Sequence, residues 1–223
     1  MSLAAGVSDS VSISGIRMTN RALWCRVCSV ASTLVLVACS SSTTPVQSLI
    51  NAQYAHDVRV RDCNGPALGL PSALRAQLQP RTGMMQPDDH WADLAEKIPG
   101  GFAGVLLIDG QPSMWLVHPE QEAAAKAALL TDPSFGNFDF RRAQVLQARW
   151  DFAQLVDWYN YLMTTGIWTN SGLVSGDKDE RINRIRYGVK DEASQQELVR
   201  RLEALDVPCN LIQVGLESPP VTL

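Results

Sequence analysis

Between residues 102 and 118 apolar positions run almost without interruption and break at Asp109-Gly110, a pair suited to the positive φ angles of a tight turn. Strand-length runs at 102–108 and 113–118 on either side of that pair predict a β-hairpin. An alanine-rich stretch, 120–130, follows and reads as a helix. Residues 143–150 read as a strand, because the segment after them is so clearly helical. There Asp151 and Gln154 stand at capping-box spacing, Phe152, Leu155, Val156, Tyr159, Leu162 and Met163 recur at helical spacing, and Gly166 stops the pattern. Beyond it, strand-like residues 172–175 and 183–189 flank the acidic stretch 177–180, which reads as a solvated turn. Ile185, Tyr187 and Val189 alternate with polar neighbours, as a half-buried strand requires. Asp191 then caps a helix carrying Leu198, Leu202 and Leu205 on one stripe, and residues 210–214 form a last strand.

Taken in order, residues 144–215 give strand, helix, strand, strand, helix, strand. That is the split βαβ order of a ferredoxin-like sandwich, so the expected class is α+β, the sandwich being extended by the N-terminal hairpin and short helices. The hairpins at 102–117 and 172–189 are loosely alike, which permits an internal duplication. Ahead of them the pattern is irregular. Residues 70–78 carry Pro71 at a first helical turn, and residues 88–96 open on Asp88 and Asp89 and stop at Pro99-Gly100, so both predict short helices.

A different pattern governs the first 50 residues. A basic start with Arg21 and Arg26 leads into the apolar stretch 30–37, and small residues follow. A membrane span needs about 20 apolar residues, whereas a signal-peptide core needs about 7 to 15, so removal is expected over retention. Met18 is an alternative start that would place the basic residues near the amino terminus. Leu36-Val37-Ala38-Cys39 at the end of the apolar run resembles the lipobox of bacterial lipoproteins. The resemblance implies diacylglycerol on the Cys39 sulfur, cleavage after Ala38 and acylation, palmitate among the chains, of the new terminus. Several acyl chains anchor firmly, since each buried methylene adds about 0.8 kcal/mol. In enterobacterial lipoproteins an aspartate after the cysteine retains the protein in the inner membrane. Here that place is held by Ser40, which implies the outer membrane, with the domain facing the periplasm. The expected organisation is thus a leader at 1–38, a flexible Ser/Thr-rich tether at 39–48, an irregular and helical part at 49–100, the α+β domain at 101–217 and a tail at 218–223.

Charge then has to be counted without the leader. Removing Arg17, Arg21, Arg26 and Asp9 leaves 16 basic and 22 acidic residues, a formal net charge of −6 against −4 for the whole chain. Such a surface does not hold nucleic acid by phosphate neutralisation and has no basic patch to lay it on an anionic leaflet. Of five cysteines, Cys25 and Cys28 leave with the leader and Cys39 is the lipid site. Cys63 and Cys209 remain as one possible pair, and in an oxidising periplasm they are expected to form a disulfide.

Candidate chemistry is sparse. His56, His90 and His118 have no histidine partner at metal-binding spacing, and neither a Gly-x-Ser-x-Gly segment nor a phosphate-cradling glycine loop occurs. Asp88, Asp89 and His90 could offer metal ligands, yet acidic residues at a helix start more often cap it. Asp177, Asp179 and Glu180 lack the ligand pattern of an EF-hand. No catalytic, cofactor or metal residue is therefore assigned. Trp158, Tyr159 and Tyr161 could line a ligand or partner site, or pack internally. Residues 173–177 and 179–189 resemble the strand-turn-strand element in pro-regions of secreted α-lytic-type serine proteases. That resemblance implies a related folding unit with no peptidase activity, because the Gly-Asp-Ser-Gly-Gly nucleophile segment does not occur in this sequence. Two functions remain: a lipid-anchored, non-catalytic binding or assembly module with a protein partner, or a periplasmic hydrolase or metal-dependent enzyme using carboxylates and His118 brought together by folding.

Overall fold

Local signals set most of the element boundaries. The computed structural model describes residues 57–65, 67–81, 87–136 and 138–218. The expected leader, the lipobox-like segment with Cys39, the expected tether, His56 and most of the expected tail lie outside the described residues. The described residues all fall in one compact unit. Its helices are α1 (Ser72–Arg75), α2 (Pro87–Ala95), α3 (Glu122–Leu129), α4 (Phe152–Thr164) and α5 (Glu192–Ala204). Its strands are β1 (Val58–Arg59), β2 (Phe102–Ile108), β3 (Gln111–Leu116), β4 (Gln144–Gln147), β5 (Leu173–Asp179), β6 (Arg184–Val189) and β7 (Ile212–Leu216). The capping box at Asp151 forms in full: its carboxylate accepts the Gln154 N–H at 2.7 Å, and the Gln154 side chain accepts the Asp151 N–H at 3.2 Å. Asp191 caps α5 through the Ser194 N–H at 2.7 Å. The helix expected at 70–78 shortens to α1, with Pro71 as its N-cap.

The α+β class is as expected, but the strands divide into two sheets, ordered β2-β3-β4 and β1-β7-β6-β5. A ferredoxin-like sandwich would have placed β4 in the same sheet as β7. Instead β4 pairs in parallel with β3, Met114 opposite Val145. The acidic stretch is corrected as well. Asp177 to Asp179 belong to β5, and the turn falls at 180–183, where Asn183 takes the positive φ of 53°. Asp179 is buried rather than solvated and accepts hydrogen bonds from the Arg181 N–H, Nε and Nη2.

The two sheets repeat one hydrogen-bonding scheme. Helix, hairpin, helix and parallel strand follow one another as α2-β2-β3-α3-β4 and again as α4-β5-β6-α5-β7. Register shifts at Phe102/Gly104 in one hairpin and at Leu173/Ser175 in the other. Gly101 accepts the Val117 N–H and Gly172 the Lys190 N–H, each at 3.0 Å. Both glycines hold positive φ, 67° and 64°, and a Cβ on Gly101 would stand 2.9 Å from Val117, so the turn into each hairpin requires glycine.

Helix α4 joins the two units, because its apolar side chains point two ways. Phe152, Ala153 and Val156 enter a core with Phe102, Met114, Leu116 and α2 residues Ala92 and Ala95. Leu155, Trp158 and Leu162 enter another with Ile185, Tyr187, Val189, Leu198 and Val214. A second joint lies at the β5–β6 turn. Asn183, 4 % exposed, accepts the N–H groups of Arg149 and Trp150 at 2.7 and 2.8 Å and donates to the Trp150 carbonyl at 2.8 Å. This fixes the strand-to-helix passage between β4 and α4. Cys63 and Cys209 are disulfide-bonded, with Cα atoms 5.5 Å apart and a separation of 146 positions in sequence.

Two measurements follow. Asn183→Ala strands buried polar groups at Trp150, each costing about 1 to 3 kcal/mol, and should lower urea-unfolding stability by roughly 3 kcal/mol. Asn183→Gly, which is free of the positive-φ strain but loses the same three hydrogen bonds, should be nearly as destabilised. Replacing Cys63 and Cys209 together by serine should cost roughly 4 to 5 kcal/mol on the chain-entropy scale for so long a loop. Non-reducing peptide mapping of the wild-type chain should recover the two cysteine peptides linked, and two freely alkylated thiols would refute the pairing.

Candidate functional site

The site begins with a carboxylate on an apolar helix. Asp157 sits between Val156, which faces one core, and Trp158, which faces the other, and is almost wholly buried. A buried charge is stable only when paired and hydrogen-bonded. Arg81 Nη2 meets Asp157 Oδ1 at 2.5 Å and Arg75 Nε meets Oδ2 at 2.8 Å. Both guanidiniums continue to Glu96: Arg81 Nη1 stands 3.0 Å from its carboxylate, and Arg75 Nη2 also donates to it. Burial alone would lower the Arg81 pKa and raise that of Glu96. The Asp157 and Glu96 contacts outweigh it in the first case, and the Arg75 and Arg81 contacts in the second, so Arg81 lies above and Glu96 below its ordinary range. Together with Asp93 and Asn160 these groups line a polar cavity of about 320 Å³.

Residues 78–81 form a wall common to this cavity and a larger cleft of about 740 Å³. The cleft runs between the face of α4 bearing Val156, Tyr159, Asn160 and Met163 and the β5 segment Gly176, Asp177 and Lys178, with Asp88 and Asp89 of α2 beside it. Lys178 is buried. Its ammonium lies 2.6 Å from Asp88 Oδ2 and 4.0 Å from the centre of the Tyr159 ring, so it is both paired and placed over a π face. The Tyr159 hydroxyl donates to the Gly176 carbonyl at 3.3 Å. Burial first, then Asp177 and Asp88, push the Tyr159 pKa up and keep the phenol a donor.

Tyr159 thus lines the cleft, as one of the aromatic residues singled out in the sequence. Trp158 instead packs internally, its Nε1–H donating to the Leu68 carbonyl at 3.0 Å, with Tyr161 edge-on to its ring. Among the described residues the histidines and carboxylates do not converge. His90 Nε2 is 2.8 Å from the Ser134 hydroxyl, His118 Nδ1 is 3.3 Å from Glu120 at the surface, and Glu180 presses on the space beside Gly104. Among the described residues no three histidine, cysteine or carboxylate side chains gather at metal-binding geometry. Also among them, no helix is long and apolar enough to cross a membrane. The Arg75, Arg81, Glu96 and Asp157 network was missed by pattern reading. Its one sequence signal is Asp157, a carboxylate inside the apolar repeat of a helix. Comparison of the chain with protein-family models, curated proteins and solved structures finds no match.

The network has a pH signature. Because the Glu96 pKa is depressed on folding, its share of stability is complete well above its ordinary pKa of 4.5 and lost as pH falls through the lower folded value. Glu96→Gln should therefore flatten the acid limb of a Tm-against-pH curve while costing under about 1 kcal/mol at pH 7, as befits a half-exposed group. Asp157→Ala, which removes the buried carboxylate and leaves the guanidiniums only the more exposed Glu96 and Asp93, should cost about 3 kcal/mol at pH 7 by urea unfolding.

Proposed function

We propose that this protein is a lipid-anchored lipoprotein of the bacterial envelope whose folded domain is a non-catalytic binding or assembly module. The observation that carries the reading is Cys39 directly after Leu36-Val37-Ala38, at the end of an apolar run too short to span a bilayer. Acylation at Cys39 ties the chain to the outer membrane, and the Ser/Thr-rich stretch after it serves as a tether to a domain facing the periplasm. The disulfide between Cys63 and Cys209 suits an oxidising compartment. The α4–β5 cleft is the surface offered to a partner. The two cations in its lining, Arg81 and Lys178, are held in ion pairs, which supports binding over bond making.

Cys39→Ser should abolish palmitate incorporation and release the protein from the membrane fraction, or leave it unprocessed. Metabolic labelling and fractionation measure both. Equal labelling of wild type and variant would sink the proposal. On a sucrose gradient the wild-type protein should travel with outer-membrane markers.

A further inference from the structure

We propose that the α4–β5 cleft takes an extended basic segment of a partner protein, which joins β5 as an additional outer strand. This rests on the binding-module reading and names its ligand class. The first support is backbone geometry. Among the described residues β5 is the outermost strand of its sheet, with β6 on one side. An outermost strand keeps a row of N–H and C=O groups without ladder partners, ready to template another chain. The cleft opens alongside this strand and is lined by Gly176, Asp177 and Lys178. The Gly176 carbonyl faces the α4 wall, where it accepts the Tyr159 hydroxyl, and a carbonyl has a second lone pair for an incoming amide. β2 is also outermost in its sheet, and it lines neither of the two cavities described above.

The second support is the lining. A volume near 740 Å³ is of ligand size, and side chains of an added strand alternate in direction. One set would rest on Val156, Tyr159 and the exposed Met163, an apolar floor. The other would meet charge. Arg75, Arg81 and Lys178 already face Asp157, Glu96 and Asp88. Asp89 and Asp177, at the cleft margin, make no ion pair among the described residues, so the uncompensated charge is negative. An incoming strand with lysine or arginine alternating with apolar residues satisfies both walls. An anionic or uniformly polar segment satisfies neither.

Three capped ten-residue peptides test this against the full-length protein in detergent at low salt: alternating lysine and valine, alternating glutamate and valine, and the lysine–valine peptide methylated on every backbone nitrogen. The lysine–valine peptide should bind with a micromolar Kd by calorimetry and slow hydrogen exchange of the β5 amides. The glutamate–valine peptide, repelled by the acidic wall, and the N-methylated peptide, which has no amide donor toward β5, should bind at least tenfold more weakly. Asp89→Lys with Asp177→Lys should weaken lysine–valine binding at least tenfold, whereas Asp62→Lys with Asp206→Lys, remote in the fold, should not. If the first double variant loses its near-UV circular dichroism, Asp177→Asn alone should still weaken binding measurably. No binding of the lysine–valine peptide at millimolar concentration, equal binding of the N-methylated peptide, or indifference to the cleft substitutions would overturn the proposal. Attachment is read separately by palmitate at Cys39, so either reading can fail without the other.

Discussion

Helix α4 must be apolar on two faces, and the rest of the domain is arranged to satisfy it. Neither sheet alone could cover this helix. The unit containing β2, β3 and β4 takes Phe152, Ala153 and Val156, while the unit containing β5, β6 and β7 takes Leu155, Trp158 and Leu162. Each fully buried large apolar side chain contributes about 1.5 to 3 kcal/mol, so separating the units would expose several such terms at once. What remains is a narrow seam where the two apolar faces meet, and Asp157 stands in it. A carboxylate there is tolerable only because Arg75 and Arg81 arrive from the irregular part of the chain to meet both its oxygens. The irregular part thereby acquires a structural reason to follow its course, although it has little apolar surface of its own.

Asn183 and Glu180 show how the same seam is closed at its other end. The turn between β5 and β6 reaches the passage from β4 to α4, where Asn183 satisfies three backbone groups in place of water. Glu180 is drawn in with it, its methylenes against the Cα side of Gly104. Burial first, then the neighbouring Asp177 and Asp179, raise the Glu180 pKa. Such a carboxylate favours the folded state less at neutral pH than in acid, opposite in sign to Glu96. The turn accepts that disfavoured charge because the Asn183 contacts are worth more.

How much of this was legible in the sequence depends on range. The Asp151–Gln154 capping box, the Asp109-Gly110 turn and the Asp191 cap are settled within four residues, and each forms as read. The sheet to which β4 belongs is not a local property. Its pattern, Gln144-Val145-Leu146-Gln147, is compatible with either sheet, and the choice falls to β3 because α3 crosses between them as α5 does between β6 and β7. The acidic stretch misled for a related reason. Four charged residues suggest solvent, but Lys178 pairs with Asp88 and Asp179 with Arg181, so both can be buried. At the site, Tyr159 could be named in advance as a residue able to line a cleft. Arg75 and Arg81 could not, since nothing near them in sequence indicates that Asp157 awaits them.

The repeated scheme explains why the cleft lies in one half of the domain. In the first unit the space between α2 and its hairpin is filled by rings: Trp91 lies 5.0 Å from Phe135 and 6.3 Å from Phe102, and Phe135 lies 4.8 Å from Phe140. A helix and strand wedged by aromatic rings leave no room beside the strand. In the second unit the helix presents Tyr159, Asn160 and Met163 toward β5, and the strand answers with Gly176, where a Cβ would strike the Trp168 ring at 2.7 Å. The only large side chain on that stretch of β5 facing the helix is Lys178, and it is held down onto the Tyr159 ring by Asp88 from the other unit. Rings also fill the space between helix and sheet in the second unit, where Tyr187 lies 6.2 Å from Tyr159 and 5.8 Å from Trp168, so the cleft opens beside the outer strand β5 and not beneath the sheet.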